Sequence, residues 1–307
     1  ALHNCPKLTK ATIMLHSTKL TDQGGQALAA GLNRPELQDL DLRLFDTFLG
    51  DPTGVALGTA LKECGKLKKA KISLHKTQLT DVGGQALAAG LDRPLLQDLD
   101  LRLRGTKMAD ATGIALGQAF RKCPNLTNIW MALYGTKLTD QGGQAIAAGM
   151  NRPKLQHMDL WLNDTDVADD TGAALGNALR SCGKLERAGI SLSYTKLTDA
   201  GGEALVAGLV GKELQDLDLW LHNTSVADKT GLALGKLLGS CGKMTTLALI
   251  LDDTKIGDSG AETIANGLVA LPLLTTIELA LIGTLVTPEC VDAVKRKLQR
   301  PGLQIHY

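Results

Sequence analysis

Aromatic residues are scarce: Phe, Trp and Tyr make up 3% of the 307 residues. The core must therefore be filled by small and aliphatic side chains at regular positions, and a 44% hydrophobic content is enough to build a large one. A surplus of one charge is missing as well. The 33 basic residues face 32 acidic ones, a net charge of +1, which removes the basic excess expected of a nucleic-acid-binding domain. No apolar run reaches the roughly 18 to 20 residues that span a bilayer, so no membrane insertion is expected. There is no Gly-rich phosphate loop, no His/Cys metal spacing and no nucleophile elbow. The chain is read as non-enzymatic, with no cofactor, metal or catalytic residue.

What is present is repetition. Cys5, Cys64, Cys123, Cys182 and Cys241 recur every 59 residues, and each such unit splits into two similar halves, A and B. Ten coils begin at Leu8, Leu37, Leu67, Leu96, Leu126, Leu155, Leu185, Leu214, Met244 and Leu274, and a partial one at Leu303. Leu40, Leu42 and Leu44 alternate with polar residues, the period of a short strand with one buried face. A Thr follows in every coil, from Thr18 to Thr284. An Asp then stands where a helix should start (Asp22, Asp51, Asp81 onward), replaced in the tenth coil by Thr287-Pro288. A short Ala/Gly-rich helix comes next. Strand and helix alternating with a period near 29 predict an α/β solenoid: ten coils of 29/30 residues, with a parallel sheet on a concave face and helices on a convex one.

These residues resemble the ribonuclease-inhibitor type of leucine-rich repeat. The match runs the length of the chain, so it is treated as a single horseshoe domain, 1–307. Thr stands where that family usually has Asn or Cys, and the strand reads two residues longer, a variant similar to repeats common in single-celled eukaryotes. The resemblance implies a protein-interaction scaffold. Ala1 to Pro6 match Ala119 to Pro124, the end of a B-coil helix, so further repeats are expected upstream; 287–307 reads as a C-terminal cap.

The Thr column is read as structural, its hydroxyls satisfying backbone groups at the bend after each strand. The period-59 cysteines cannot pair with one another, since two coils apart is about 9.5 Å and a disulfide needs Cα atoms within about 7 Å. They are read as buried free thiols, and Cys290 has no mate. Six free thiols point to a reducing compartment, the cytoplasm.

The outward strand positions form columns. Lys10, Asp39, Lys69 and Asp98 read as a solvated charge ladder. The aromatics are harder to explain by the fold, which would bury them at the Leu positions. Trp130, Trp161, Trp220, Phe45 and Tyr134 all point outward, and Tyr194 follows immediately after. The candidate partner-binding site is Trp130, Tyr134, Trp161, Tyr194 and Trp220, rimmed by His157, Asp159, Arg187, Asp218 and His222. Trp161 and Trp220 share a column two coils apart, about 9.5 Å, which leaves room for a partner side chain between the rings. Asp159, His157, Asp218 and His222 are not read as acid/base pairs, because an acid recurs in that column through Asp41, Asp100 and Glu278. The expected function is a scaffold that binds a protein partner on the concave face, as a subunit of a hetero-complex. The alternatives are a regulatory domain resembling the Ran GTPase-activating proteins and the ligand-sensing part of a larger receptor.

Overall fold

The structure, a computed structural model, describes residue 5, residues 7–209 and 213–298, and the backbone of 304–306. The expectation about Ala1 to Pro6 therefore lies almost wholly outside the described residues. The chain forms two compact units, Ala1–Met150 and Asn151–Tyr307.

In the first unit, strands β1 (Lys10–Met14), β2 (Asp39–Arg43), β3 (Lys69–Ser73), β4 (Asp98–Arg102) and β5 (Asn128–Ala132) alternate with helices α1 (Asp22–Leu32), α2 (Asp51–Glu63), α3 (Asp81–Gly90), α4 (Asp110–Arg121) and α5 (Asp140–Gly149). The strands pair in parallel in sequence order, Lys10 with Asp39, Asp39 with Lys69, Lys69 with Asp98 and Asp98 with Asn128. Pairing continues past the named strands, through Leu44 N to Ser73 O and Asp46 N to His75 O, so the pairing is two to three residues longer than the strands.

The second unit repeats the scheme. Its strands are β6 (His157–Trp161), β7 (Arg187–Ser191), β8 (Asp216–Trp220), β9 (Thr246–Ile250), β10 (Thr276–Ala280) and β11 (Gln304–His306). Its helices are α6 (Asp169–Leu179), α7 (Asp199–Gly208), α8 (Asp228–Leu238), α9 (Asp258–Val269) and α10 (Pro288–Leu298). These strands too pair in parallel in sequence order. Each unit is a solenoid stack. Its core is the Leu ladder: Leu40, Leu42 and Leu44, like Leu217, Leu219 and Leu221, are at most 1% exposed. Each such side chain contributes about 2 kcal/mol of apolar burial.

Every coil turns from strand to helix in the same way. One residue takes a left-handed backbone: Ser17, Asp46, Lys76, Gly105 and Gly135 in the first unit, and Asp164, Tyr194, Asn223, Asp253 and Gly283 in the second. The Thr that follows donates its hydroxyl to the carbonyl three residues back, as in Thr47 to Leu44 at 2.7 Å and Thr224 to Leu221 at 2.6 Å. The structural reading of the Thr column holds, and each hydroxyl closes its own turn.

The recurring Asp does not cap its own helix. It is the first helical residue, and its carboxylate caps the helix of the next coil. Asp51 accepts from Thr80 N at 2.8 Å, Thr80 Oγ1 at 2.6 Å and Gly83 N at 2.9 Å. Asp199 does the same for Ala227 N at 2.9 Å, Thr230 N at 2.8 Å and Thr230 Oγ1 at 2.7 Å. The carboxylate of one coil thus satisfies orphan N–H groups at the start of the next coil's helix.

The 59-residue period also has a cause. A methyl group at Gly54 would lie 2.7 Å from Gly83 Cα, so the B helix α2 meets the A helix α3 glycine to glycine. In the A-to-B direction Gly25 instead faces the side chain of Thr53. The two helix spacings alternate, and the sequence repeats in pairs of coils.

Cys64, Cys123, Cys182 and Cys241 are buried, and no disulfide joins the described cysteines. Cys64 Sγ lies 3.3 Å from Leu32 O, so the thiol bridges two coils. Cys5 departs from the expectation of burial and is exposed.

Candidate functional site

In the first unit the outward face is laced with ion pairs of its own. Lys10 pairs with Asp39 at 3.3 Å and Lys69 with Asp98 at 3.3 Å, as a solvated ladder would, each worth at most about 1 kcal/mol. Within β2, the Arg43 guanidinium donates to both oxygens of Asp41, at 3.0 and 2.8 Å. Arg102 grips Asp100 in the same way in β4, at 2.8 and 3.0 Å. The hydrogen bond from Arg43 is the main reason that the Asp41 carboxyl lies below the usual range.

Trp130 and Tyr134 belong to this unit, and each has a cation over its ring. Arg102 lies 4.3 Å from the Trp130 centroid and Arg104 lies 5.3 Å from that of Tyr134. Phe45 is stacked between His16 and His75, at 4.4 and 4.2 Å. Burial, helped by Arg104 and Arg102, pushes His75 down to about 4, so this imidazole is neutral at physiological pH.

The second unit holds the other eight predicted residues. Trp161 and Trp220 do not stand apart. Their rings meet across Ser191 with centroids 5.5 Å apart and planes at 58°. The expected slot for an inserted side chain is closed, because the small Ser191 between the strands lets the two indoles lean together. The contact continues to His222, 5.8 Å from Trp220, and from His222 to Tyr194 at 5.2 Å, edge to face. Ser193 Oγ holds His222 Nδ1 at 2.8 Å. The Trp220 indole N–H donates to Asp218. The Trp161 indole nitrogen is shut off from solvent and has no acceptor.

Beside the rings lie the charges. Arg187 bridges Asp159 at 3.4 Å and Asp216 at 2.6 Å. Asp159 is 9% exposed, and burial pushes its carboxyl above the usual range; burial does the same to Asp218. His157 reaches Glu186 at 3.9 Å, at the edge of the group. Sequence reading missed Asp216 and Ser193, and it missed Arg102 and Arg104 as covers for Trp130 and Tyr134. Side chains two apart on one strand, or on adjacent strands, were the available signal.

Among the described residues no three His, Cys, Asp or Glu side chains converge in a way that could hold a metal ion, and no helix is long and apolar enough to cross a membrane. Residues 244–265 match the family described as leucine-rich repeat. No curated protein matches the chain in sequence. Among solved structures it is similar to an internalin from Listeria monocytogenes, at 13% identity and a TM-score of 0.43, over 99% of this chain and 88% of that one. The stacked coils expose one continuous row of parallel strands per unit.

Proposed function

We propose that this leucine-rich-repeat protein is a non-enzymatic scaffold that binds a protein partner on its sheet face, as a subunit of a hetero-complex in a reducing compartment. The observation that carries the reading is the aromatic group of the second unit. Trp161, Trp220, His222 and Tyr194 lie in mutual contact on a face where the fold requires no rings, and Tyr194 is 57% exposed. Aromatics ringed by charges are what the centre of an interface is made of. Trp130 and Tyr134, with Arg102 and Arg104 on them, extend the reading to the first unit's face. Free, mostly buried thiols support the reducing compartment.

The test is affinity capture from the native source with three baits: the wild type, Trp220→Ala and Lys69→Ala. Proteins held by the wild type and by Lys69→Ala but lost from Trp220→Ala support the reading. A partner kept equally by all three, with Trp220→Ala folded, sends the site elsewhere.

A further inference from the structure

The two units build the same rows of strands with different charges. In the first, β2 and β4 read Asp-Leu-Asp-Leu-Arg, and Lys71 of β3 stands in register between Asp41 and Asp100. Lys71 pairs with Asp100 at 3.1 Å, while Arg43 and Arg102 fold back on the two acids. In the second unit the acids stay and these cations are gone. Gly189 of β7 stands in register between Asp159 and Asp218, and Trp161 and Trp220 stand where the arginines were.

The deficit is not repaired nearby. Arg187 is divided between Asp159 and Asp216, and Asp218 forms no ion pair among the described residues. Asp159 and Asp216 add negative charge beside it. Carboxylates drawn out of water without a cation are held at a cost, which an incoming positive charge would offset. Gly189, Ser191 and Ser193 are the small residues of this row, the two serines each 1% exposed beneath their neighbours, and a side-chain carbon at 189 would collide with Asp159 Oδ1. The Asp159 carboxylate thus reaches over the glycine, toward the space that the lysine stem fills in the first unit. Trp130 under Arg102 shows an indole of this chain taking a guanidinium on its face beside an aspartate.

We propose that a basic segment of a protein partner docks on this face, and that one of its lysine or arginine side chains enters over Gly189, between Asp159 and Asp218 and against the Trp161–Trp220 rings, in the place that Lys71 and Arg102 take in the first unit. This rests on the interaction reading above and names the chemistry of its partner.

The test uses the full chain and hexalysine as probe, followed by calorimetry and tryptophan fluorescence. One hexalysine per chain should bind and perturb the indole emission, and hexaglutamate should not. Asp218→Asn should weaken binding at least tenfold, Gly189→Lys should abolish it by supplying the cation internally, and Asp41→Asn in the first unit should leave it unchanged. No binding to the wild type, or equal binding to every variant, overturns the proposal. Spermidine binding as tightly as hexalysine overturns it too, in favour of a free polyamine. Should Gly189→Lys fail to fold, Asp218→Asn decides. If Trp220→Ala loses the captured partner while Asp218→Asn and Gly189→Lys keep it, the interaction reading stands and the cation falls. If all keep it, the face itself is wrong.

Discussion

Tyr194 carries a bulky side chain on a left-handed backbone, φ 54°, where seven of the nine other coils place Gly, Asp or Asn. For a residue with a Cβ this geometry costs about 1 to 2 kcal/mol, and the ring that results is mostly in solvent. Tyr194→Gly should therefore leave the melting temperature unchanged or raise it, while partner affinity falls; a fall in melting temperature would mean that the ring serves the fold through His222. Trp161→Ala should cost about 1 kcal/mol of stability from the lost ring contact and about 2 kcal/mol or more of binding, which thermal melts and titration calorimetry separate. The thiols can be counted. Denatured, unreduced protein should show six, whereas in the native state Cys5 should react first and Cys64, Cys123, Cys182, Cys241 and Cys290 slowly. Burial raises Cys64, Cys182 and Cys241, and pushes Cys290 up to about 11, so little thiolate forms at neutral pH.

At the scale of strand and helix, the joint between coils is the aspartate that caps the following helix. Burial works to raise Asp51 and Asp199, but the hydrogen bonds from Thr80 and Gly83, and from Thr230 and Ala227, outweigh it and hold both below the usual range. Asp258, held by Thr287, is lowered too. A depressed folded value means stability that is present above the unfolded value near 3.9 and lost as pH falls through the folded one. Asp159 and Asp218 are raised, so they work the other way: their contribution is present below the unfolded value and lost as pH rises through the folded one. At pH 7, then, Asp218→Asn should melt no lower than the wild type, while Asp51→Ala should lose about 2 kcal/mol by stranding buried N–H groups. The opposite order in a thermal melt would refute this account. The period of 59, the Leu ladder, the Thr turns and the outward columns were all legible in the sequence, because side-chain alternation and spacing are one-dimensional facts. The destination of Asp51 was not: its partners Thr80 and Gly83 lie a full coil away, and nothing local in the sequence tells a cap on its own helix from one on the next. The closure of Trp161 on Trp220 was hidden for a similar reason, since strand spacing gives backbone distances and not where rings lean.

Across each unit, strands and helices touch only their predecessors and successors, so damage should stay local. Gly58→Val, placed against the Ala86 carbonyl, should cost amide protection in α2 and α3 while α8 and α9 exchange as before; uniform loss would show a cooperativity that neighbour contacts do not explain. The alternating helix spacing constrains something else, the lengths this gene can take. Removing residues 67–125 takes out one A and one B coil and joins a B helix to an A helix, as before. Removing residues 67–95 takes out one coil and sets α2 against α4, where Thr112 and Ala119 replace Gly83 and Gly90. A methyl group at Gly90 would lie 2.6 Å from Gly58 O, so that pair cannot close while the strands beneath stay about 4.8 Å apart. The first deletion should fold and the second should not. Alleles that differ in length are then expected to differ by whole multiples of 59 codons.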